Sequence, residues 1–309
     1  MRLGILDVGS NTVHLLVVDA EPGSRPVPAS DKRWDSPLLH QVGKDHAVSP
    51  EGQQELHDVI EEAHAHAREL GVSDFSAFAT SAFREASNAD DLLDGVRRET
   101  GVDLHVLEGD DEARLTFLAA RRWFGWGSGR LLLLDIGGGS LELAVGADEV
   151  PEHVASLPLG AARLTRDFLP EDPPSASDVA AVRSHVTASV AERLRPFRAQ
   201  PSDLAVGTSK TLRSLARIAG AAPSAEGPYV KRTLRADDAE RLVDKLAGLS
   251  AKDRAKLPGV SSRRASQLLA GAIVASTTLS LLAIEELHIC PWALREGVIL
   301  ARQDWMTVW

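Results

Sequence analysis

The chain is 309 residues long, more than one compact domain usually holds, so two domains are the expectation. Hydrophobic residues make up 44% and charged residues 25%, an ordinary balance for a globular protein that excludes global disorder. Lys and Arg total 34 against 44 Asp and Glu, a formal charge of −10, which argues against a nucleic-acid coat or a membrane-surface protein. The single cysteine, Cys290, excludes an internal disulfide framework and suits a reducing cytoplasm. The apolar start lacks the uninterrupted core of a secretory signal, because Asp7, Asn11 and His14 cut it. The charge-free run 268–284 reads as a buried helix, since a membrane span needs about 20 mostly apolar residues. Neither a nucleic-acid nor a membrane partner is expected.

In chain order, Leu3-Gly4-Ile5-Leu6-Asp7 is an apolar strand ending in Asp, followed by the turn Val8-Gly9-Ser10-Asn11-Thr12. Val13, Leu15 and Val17 then alternate with His14, Leu16 and Val18 as a second strand, and residues 22–28 read as a hairpin tip. Ser49 as N-cap, Pro50 at the first helical position and Gly71 bracket a helix with a stripe of Leu56, Val59, Ile60, Ala63, Ala67 and Leu70. Its His57, His64 and His66 read as solvated residues, not metal ligands. Phe78-Ala79-Thr80-Ser81 closes an apolar run ahead of a helical pattern that carries Arg84. Another helix starts near Gly109-Asp110, and the glycine-rich stretch 125–129 after it is the expected hinge between domains 1–124 and 125–309.

The strand-Asp-turn plan recurs as Leu131-Leu132-Leu133-Leu134-Asp135-Ile136-Gly137-Gly138-Gly139-Ser140, with Leu141-Glu142-Leu143 behind it. Residues 169–177 and 222–228 read as loops. Val206-Gly207-Thr208-Ser209 repeats Phe78-Ala79-Thr80-Ser81, and Thr208 lies as far along the chain from Thr80 as Asp135 does from Asp7. Two matches with one displacement read as the duplication of a strand-rich α/β unit.

Glycine turns at strand ends let backbone N–H groups approach an anion with no Cβ in the way, so both turns are candidate phosphate cradles. The chain has no GxxxxGK[ST] loop and no GxGxxG spacing, which excludes a P-loop and a dinucleotide fold. Gly207, Thr208 and Ser209 offer further amides and hydroxyls, and Lys210, Arg213 and Arg217 share one face of the helix that follows. On an isolated helix that face is simply solvated. Beside a phosphate cradle it becomes a groove for a polyanion, and screening over about 8 Å makes it outweigh the net negative charge at contact. Asp7, Asp135 and Glu142 stand at the turns, where carboxylates would repel phosphate unless a cation lies between, which points to Mg²⁺. Asp110, Asp111 and Glu112 open a helix, where acidic residues also serve as ordinary caps, so spacing alone selects no catalytic residue among them.

Asp7-Val8-Gly9-Ser10-Asn11-Thr12, Thr80-Ser81-Ala82-Phe83-Arg84-Glu85-Ala86, Gly109-Asp110-Asp111-Glu112-Ala113-Arg114-Leu115, Asp135-Ile136-Gly137-Gly138-Gly139-Ser140-Leu141-Glu142, Gly207-Thr208-Ser209 and Leu294-Arg295-Glu296-Gly297-Val298 occur in this order. As a set they resemble the exopolyphosphatase and guanosine pentaphosphate phosphatase family, over nearly the whole chain. The resemblance implies an α/β fold of two ribonuclease-H-like domains, similar to actin, Hsp70 and sugar kinases, with an active cleft between them. It allows the last helix to pack back on the first domain. It implies Glu112 as the catalytic base and Asp135 and Glu142 as magnesium-associated acids, with Asp7 beside them as a third candidate. It places Asn11, Arg84, Gly137, Gly138, Gly139, Ser140, Gly207, Thr208 and Ser209 around the phosphates, and the reading of the turn and of the basic helix face adds Ser10, Lys210 and Arg213. Asp111 stands where many relatives have a second glutamate, a change of tuning and not of the base. Long relatives carry a further C-terminal domain that this sequence lacks, so shorter chains are the expected substrate. The implied activity is release of orthophosphate from inorganic polyphosphate, with guanosine pentaphosphate or another nucleoside polyphosphate as the alternative substrate. A non-catalytic polyphosphate or alarmone sensor is the alternative of another class, and a homodimer is a family-based expectation.

Overall fold

The computed structural model describes residues 1–21, 25–36, 38, 41 and 46–306. It forms two compact units, Met1–Leu115 with Leu294–Trp309, and Thr116–Ala293. The expected hairpin tip falls partly on residues 22–24, outside the described residues.

In the first unit β1 (Arg2–Val8), β2 (Thr12–Asp19) and β3 (Pro28–Asp35) form an antiparallel meander. After α1 (Pro50–Glu69), β4 (Asp74–Ala79) joins β1 in parallel. Next come α2 (Ser81–Arg84) and α3 (Ala89–Thr100), then β5 (Leu104–Val106), parallel to β4, and α4 (Gly109–Phe124). The sheet order is β3-β2-β1-β4-β5. Strand alternation sends Leu6, Val8, Val13, Leu15 and Val17 into a core with Leu56, Ile60, Leu92 and Val96 of α1 and α3. The opposite face buries Leu3, Ile5, Leu16 and Val18 with Leu115 and with Leu294 and Ile299 of the C-terminal helix, Leu294–Met306. That helix approaches α4 through Gly297, where a Cβ would lie 1.9 Å from the Leu115 carbonyl oxygen. Helix α1 starts as expected: the Ser49 hydroxyl accepts from the Gly52 N–H at 3.1 Å, with Pro50 in the first turn. His57, expected at the surface, is buried instead, because Gly95 of α3 leaves room for its ring.

The second unit repeats the plan. β6 (Leu131–Ile136), β7 (Leu141–Gly146) and β8 (His153–Leu157) form an antiparallel meander. α5 (Ala161–Phe168), α6 (Ala176–Ala191) and α7 (Arg195–Arg198) lead to β9 (Leu204–Thr208), which lies parallel to β6. There follow α8 (Ser209–Ile218), β10 (Thr233–Arg235), α9 (Ala236–Ala247), α10 (Ala251–Arg254), α11 (Ser262–Ala265), α12 (Leu268–Leu281) and β11 (Glu286–Ile289). The order β10-β11-β9-β6-β7-β8, read from β8 to β11, has the strand sequence and directions of the first sheet, with β10 added at one edge. Both sheets are ribonuclease-H-like. The repeat reaches backbone angles: Thr80 (φ −118°, ψ −151°) and Thr208 (φ −114°, ψ −166°) each end a strand in extended conformation and begin a helix.

The charge-free run is α12, buried against α5, α6, α8 and α9. Its Gly271 faces the Thr211 methyl, which a Cβ would meet at 2.4 Å. Among the described residues no helix is long and apolar enough to cross a membrane.

The division between the units falls inside α4, between Leu115 and Thr116, and not at the glycine stretch. The second half of α4 sends Phe117 and Ala120 into a core with Leu131, Leu133, Ala144 and Val206, which assigns it to the second unit. The stretch 125–129, expected as a hinge, is a fastened turn. Arg121, fully buried, donates to the carbonyls of Gly125 (3.3 Å), Gly129 (2.8 Å) and Gly146 (2.9 Å) and to the Ser128 hydroxyl (3.0 Å). Burial lowers the pKa of Arg121, but a guanidinium stays charged, and the aligned carbonyls solvate it in place of water.

Candidate active site

Two groups of candidate residues form, one in each unit. In the first, Asp7 is the second-last residue of β1, and the turn behind the strand is closed by the Gly9 N–H, which donates to the Thr12 carbonyl at 3.1 Å. Asn11 is buried and its carbonyl accepts from the Ser36 N–H at 3.3 Å; Ser10 is half-buried. Across the β1–β2 ladder Asp7 faces His14, whose Nε2 lies 2.8 Å from Asp31 Oδ1. Burial is the main cause that lowers the His14 pKa, against the opposing hydrogen bond to Asp31, and the Arg295 charge lowers it further. Asp31 is held far below the ordinary carboxylate range, chiefly by that same hydrogen bond.

The three carboxylates that open α4 part company in space. Asp110 and Asp111 are exposed, and Asp111 pairs with Arg114 at 2.8 Å. Glu112 is the half-buried one, its backbone N–H donating to the Glu108 carbonyl at 2.9 Å. Arg84, at the end of α2, donates through Nη1 to the Leu107 carbonyl and stands 3.4 Å from Glu112 Oε2. The side chains of Arg84 and Glu112 are only 19% and 16% exposed, so this pair is shielded more than a surface ion pair. The geometry gives Arg84 the work of orienting Glu112 as well as any contact with phosphate.

In the second unit four residues form a row across four strands. Thr208 pairs with Asp135, Asp135 with Glu142, and Glu142 with Ser156 in the β9-β6-β7-β8 register, so all four side chains rise from one face. The Thr208 hydroxyl donates to Asp135 Oδ2, and the Ser156 hydroxyl donates to Glu142 Oε1 at 3.0 Å. Thr208 is fully buried, and its hydroxyl is engaged by Asp135.

The glycine turn lies beside this row. Its Gly137 N–H donates to the Ser140 carbonyl at 2.9 Å, as in the Gly9 turn. Its own carbonyls face the start of α5: Gly160 donates to Gly139 at 3.1 Å, Ala161 to Gly137 at 3.0 Å, and Ala162 to Gly138 at 2.9 Å. A Cβ on Gly160 would lie 2.2 Å from the Gly139 carbonyl carbon, so backbone rests on backbone there. With the carbonyls committed to α5, the Gly138 and Gly139 N–H groups donate to no protein acceptor among the described residues. A phosphate oxygen suits such a pair of donors.

Within β9, Gly207 leaves space that the Leu287 and Leu212 side chains fill, and after the strand Ser209 takes φ +76°, a conformation costly for a residue other than glycine. The expected basic face of α8 is divided. Lys210 is exposed, Arg213 donates to the Ser209 carbonyl at 3.0 Å, and Arg217 is drawn away to the Ala221 carbonyl at 2.9 Å.

Asp135 and Glu142 rise side by side, each held by a hydroxyl donor, and two carboxylates so placed offer the oxygen ligands that a hard divalent cation takes. Among the described residues no cluster of three or more His, Cys, Asp or Glu side chains is placed to hold a metal. Asp7 Oδ2 is instead bonded to Arg295 Nη1 at 2.7 Å. Arg295, Ser156 and Arg163, which donates through Nε to Gly139 O at 3.2 Å, are the site residues that sequence reasoning missed. For Arg295 the signal was present in the Leu294-Arg295-Glu296-Gly297 motif, but its partner lies 288 positions away.

A profile of the Ppx/GppA phosphatase family matches residues 17–304. Exopolyphosphatase 1 of Mycobacterium tuberculosis is 52% identical over 305 residues, covering 98% of this chain and 89% of that protein. A guanosine-5'-triphosphate,3'-diphosphate pyrophosphatase of Aliivibrio fischeri is 27% identical over 306 residues, covering 97% of this chain and 59% of that protein. Among solved structures, the Aquifex aeolicus member of the Ppx/GppA family has a TM-score of 0.80 at 26% identity, over 99% of this chain and 98% of that one. An exopolyphosphatase from Cytophaga hutchinsonii has a TM-score of 0.88 at 24% identity, over 98% of each chain, a likeness of fold.

Proposed function

The chain belongs to the Ppx/GppA phosphatase family, and from that premise we propose that it is an exopolyphosphatase removing the terminal phosphate of inorganic polyphosphate in the cytoplasm. The observation that carries this reading is the likeness to exopolyphosphatase 1, more than half identical and nearly end to end. Hydrolysis of a phosphoanhydride is the chemistry common to the family and to both kinds of relative.

In this reading a water attacks the terminal phosphorus in line with the departing chain. Glu112 orients that water and accepts its proton, and Arg84 keeps the Glu112 carboxylate in place. The Gly138 and Gly139 N–H groups meet the phosphoryl oxygens as charge builds on them. Asp135 and Glu142 would hold Mg²⁺, which would supply positive charge against the charge that builds on the phosphoryl group. Lys210 and Arg213 hold the rest of the chain, and Ser10 and Asn11 belong to the phosphate-facing turn of the first unit. The reading requires Glu112 and the glycine turn to act on one phosphoryl group. Positioned proton transfer supplies roughly 10²–10⁴-fold, so the donors and the metal must supply most of the rest.

The deciding experiment is phosphate release by the purified protein from short and long polyphosphate, guanosine pentaphosphate and ATP, with and without Mg²⁺. Release from polyphosphate above the nucleotides is the expected result. Preference for guanosine pentaphosphate would favour the second reading, which the Aliivibrio relative supports. Binding of polyphosphate with no release from any substrate would leave the sensor.

A further inference from the structure

We propose that Arg295 admits the phosphate chain to the first unit's turn, by neutralising Asp7 and offering the rest of its guanidinium to a phosphate oxygen. The inference rests on the polyphosphate reading and deepens it. Asp7 lies near the end of β1, two residues before Gly9, and a carboxylate in that place repels a polyanion unless a cation intervenes. The intervening cation is part of the protein: Arg295 Nη1 donates to Asp7 Oδ2 at 2.7 Å, with the two side chains 21% and 16% exposed. A guanidinium carries five donors in a rigid fork, and this bond uses one. The Arg295 Nε–H is buried and has no acceptor among the described residues. A buried donor without an acceptor is uncommon, and it leaves the guanidinium fork incompletely satisfied by the protein.

His14 faces Asp7 across the ladder, and beyond it lie Asp31 and Arg33, which bond each other at 3.2 Å. Burial chiefly, and the Arg295 charge with it, disfavour the protonated form of His14. The docking that sets this geometry is stiff. Gly297, two residues on, rests on the Leu115 carbonyl, and Leu294 and Ile299 are buried in the sheet face. Asp7 therefore belongs with Arg295 and not with the metal carboxylates.

The test uses full-length Arg295→Gln, Arg295→Lys, Asp7→Asn and the double variant Asp7→Asn/Arg295→Gln. It reads kcat, KM and thermal midpoint with tripolyphosphate, and tripolyphosphate Kd by calorimetry in the Glu112→Gln background. Arg295→Gln should raise KM and Kd about tenfold or more with kcat changed less than about threefold, as expected for loss of a charged donor. Arg295→Lys should keep most of the affinity, and Asp7→Asn should restore part of it to the double variant. Unchanged KM and Kd in Arg295→Gln, or a double variant no better than the single one, overturns the proposal. So does an Asp7→Asn protein whose Mg²⁺ requirement rises sharply, since that makes Asp7 a metal ligand. Should Arg295→Gln fail to fold, Arg295→Lys and the double variant carry the comparison. If the unmodified protein releases no phosphate from tripolyphosphate, the exopolyphosphatase reading falls, while the Kd series still decides the role of Arg295.

Discussion

Glu112 differs from its neighbours by burial and by one partner. Asp110 and Asp111 face solvent, whereas Glu112 meets a guanidinium anchored on the Leu107 carbonyl. Replacing Glu112 by Gln keeps the shape but removes the carboxylate that the proposed mechanism uses as proton acceptor. The thermal midpoint should stay within about 2 °C of the parent while kcat falls about 10²-fold or more, as measured by steady-state phosphate release. Near-parental turnover would remove Glu112 from the chemistry. His14 carries a pH prediction of its own. Its folded pKa is lowered from 6.5, so below that pH the unfolded chain binds more protons than the folded one. Stability therefore declines on acidification from pH 7 and levels off once folded His14 titrates. Asp31, depressed in the folded state, loses its contribution only at much lower pH. Thermal melts of parent and His14→Gln between pH 7.5 and 5 should show the steeper decline in the parent, and parallel curves would count against it.

At the scale of elements, glycine turns are held by helices that press on them. The start of α5 takes up the carbonyls of the 137–139 turn and leaves its N–H groups facing the other way. A methyl at Gly160 collides with backbone that cannot yield, in contrast to one meeting a flexible side chain. Gly160→Ala should cost about 1–3 kcal/mol in chemical denaturation and raise KM, because displacement of the turn spoils the donor pair. A stable variant with parental KM would separate the turn from substrate binding. Helix α8 presents fewer available cations than its sequence suggests, since Arg217 serves its C-terminal turn and Arg213 bonds the Ser209 carbonyl. Lys210→Ala with Arg213→Ala should weaken long polyphosphate more than triphosphate, read as the ratio of the two KM values. An equal effect on both would exclude a groove along α8.

At the scale of the molecule, one ribonuclease-H-like plan appears twice and the copies carry different equipment. The first unit holds the half-buried carboxylate Glu112 and the Asp7–Arg295 pair; the second holds the carboxylate pair Asp135–Glu142 and the open glycine N–H groups. A metal at the second unit predicts that chelation abolishes release and that Mg²⁺ raises the thermal midpoint in a saturable way. Asp135→Asn and Glu142→Gln should each diminish that shift, which is read without any turnover. A shift that survives both substitutions would move the metal elsewhere.

The duplication, the strand-Asp-glycine turns, the capped α1 and the buried α12 were legible in the chain, because each depends on residues within a few positions of one another. Family membership was legible for the same reason, as a series of short motifs in order. Choosing Glu112 over Asp110 and Asp111 needed the resemblance, since all three cap a helix equally well; only the fold shows which one is sheltered beside Arg84. The partners of Asp7, Asp135 and Glu142 were beyond sequence reasoning. Arg295 and Thr208 reach them from elements far apart in the chain and Ser156 from the adjacent strand, and pairing of each kind is set by register and docking. Arg121 teaches the same lesson at a turn: glycines permit a hinge, but one buried guanidinium gathering their carbonyls closes it. Local chemistry determined which elements and which family, and long-range packing decided which charge each functional group meets.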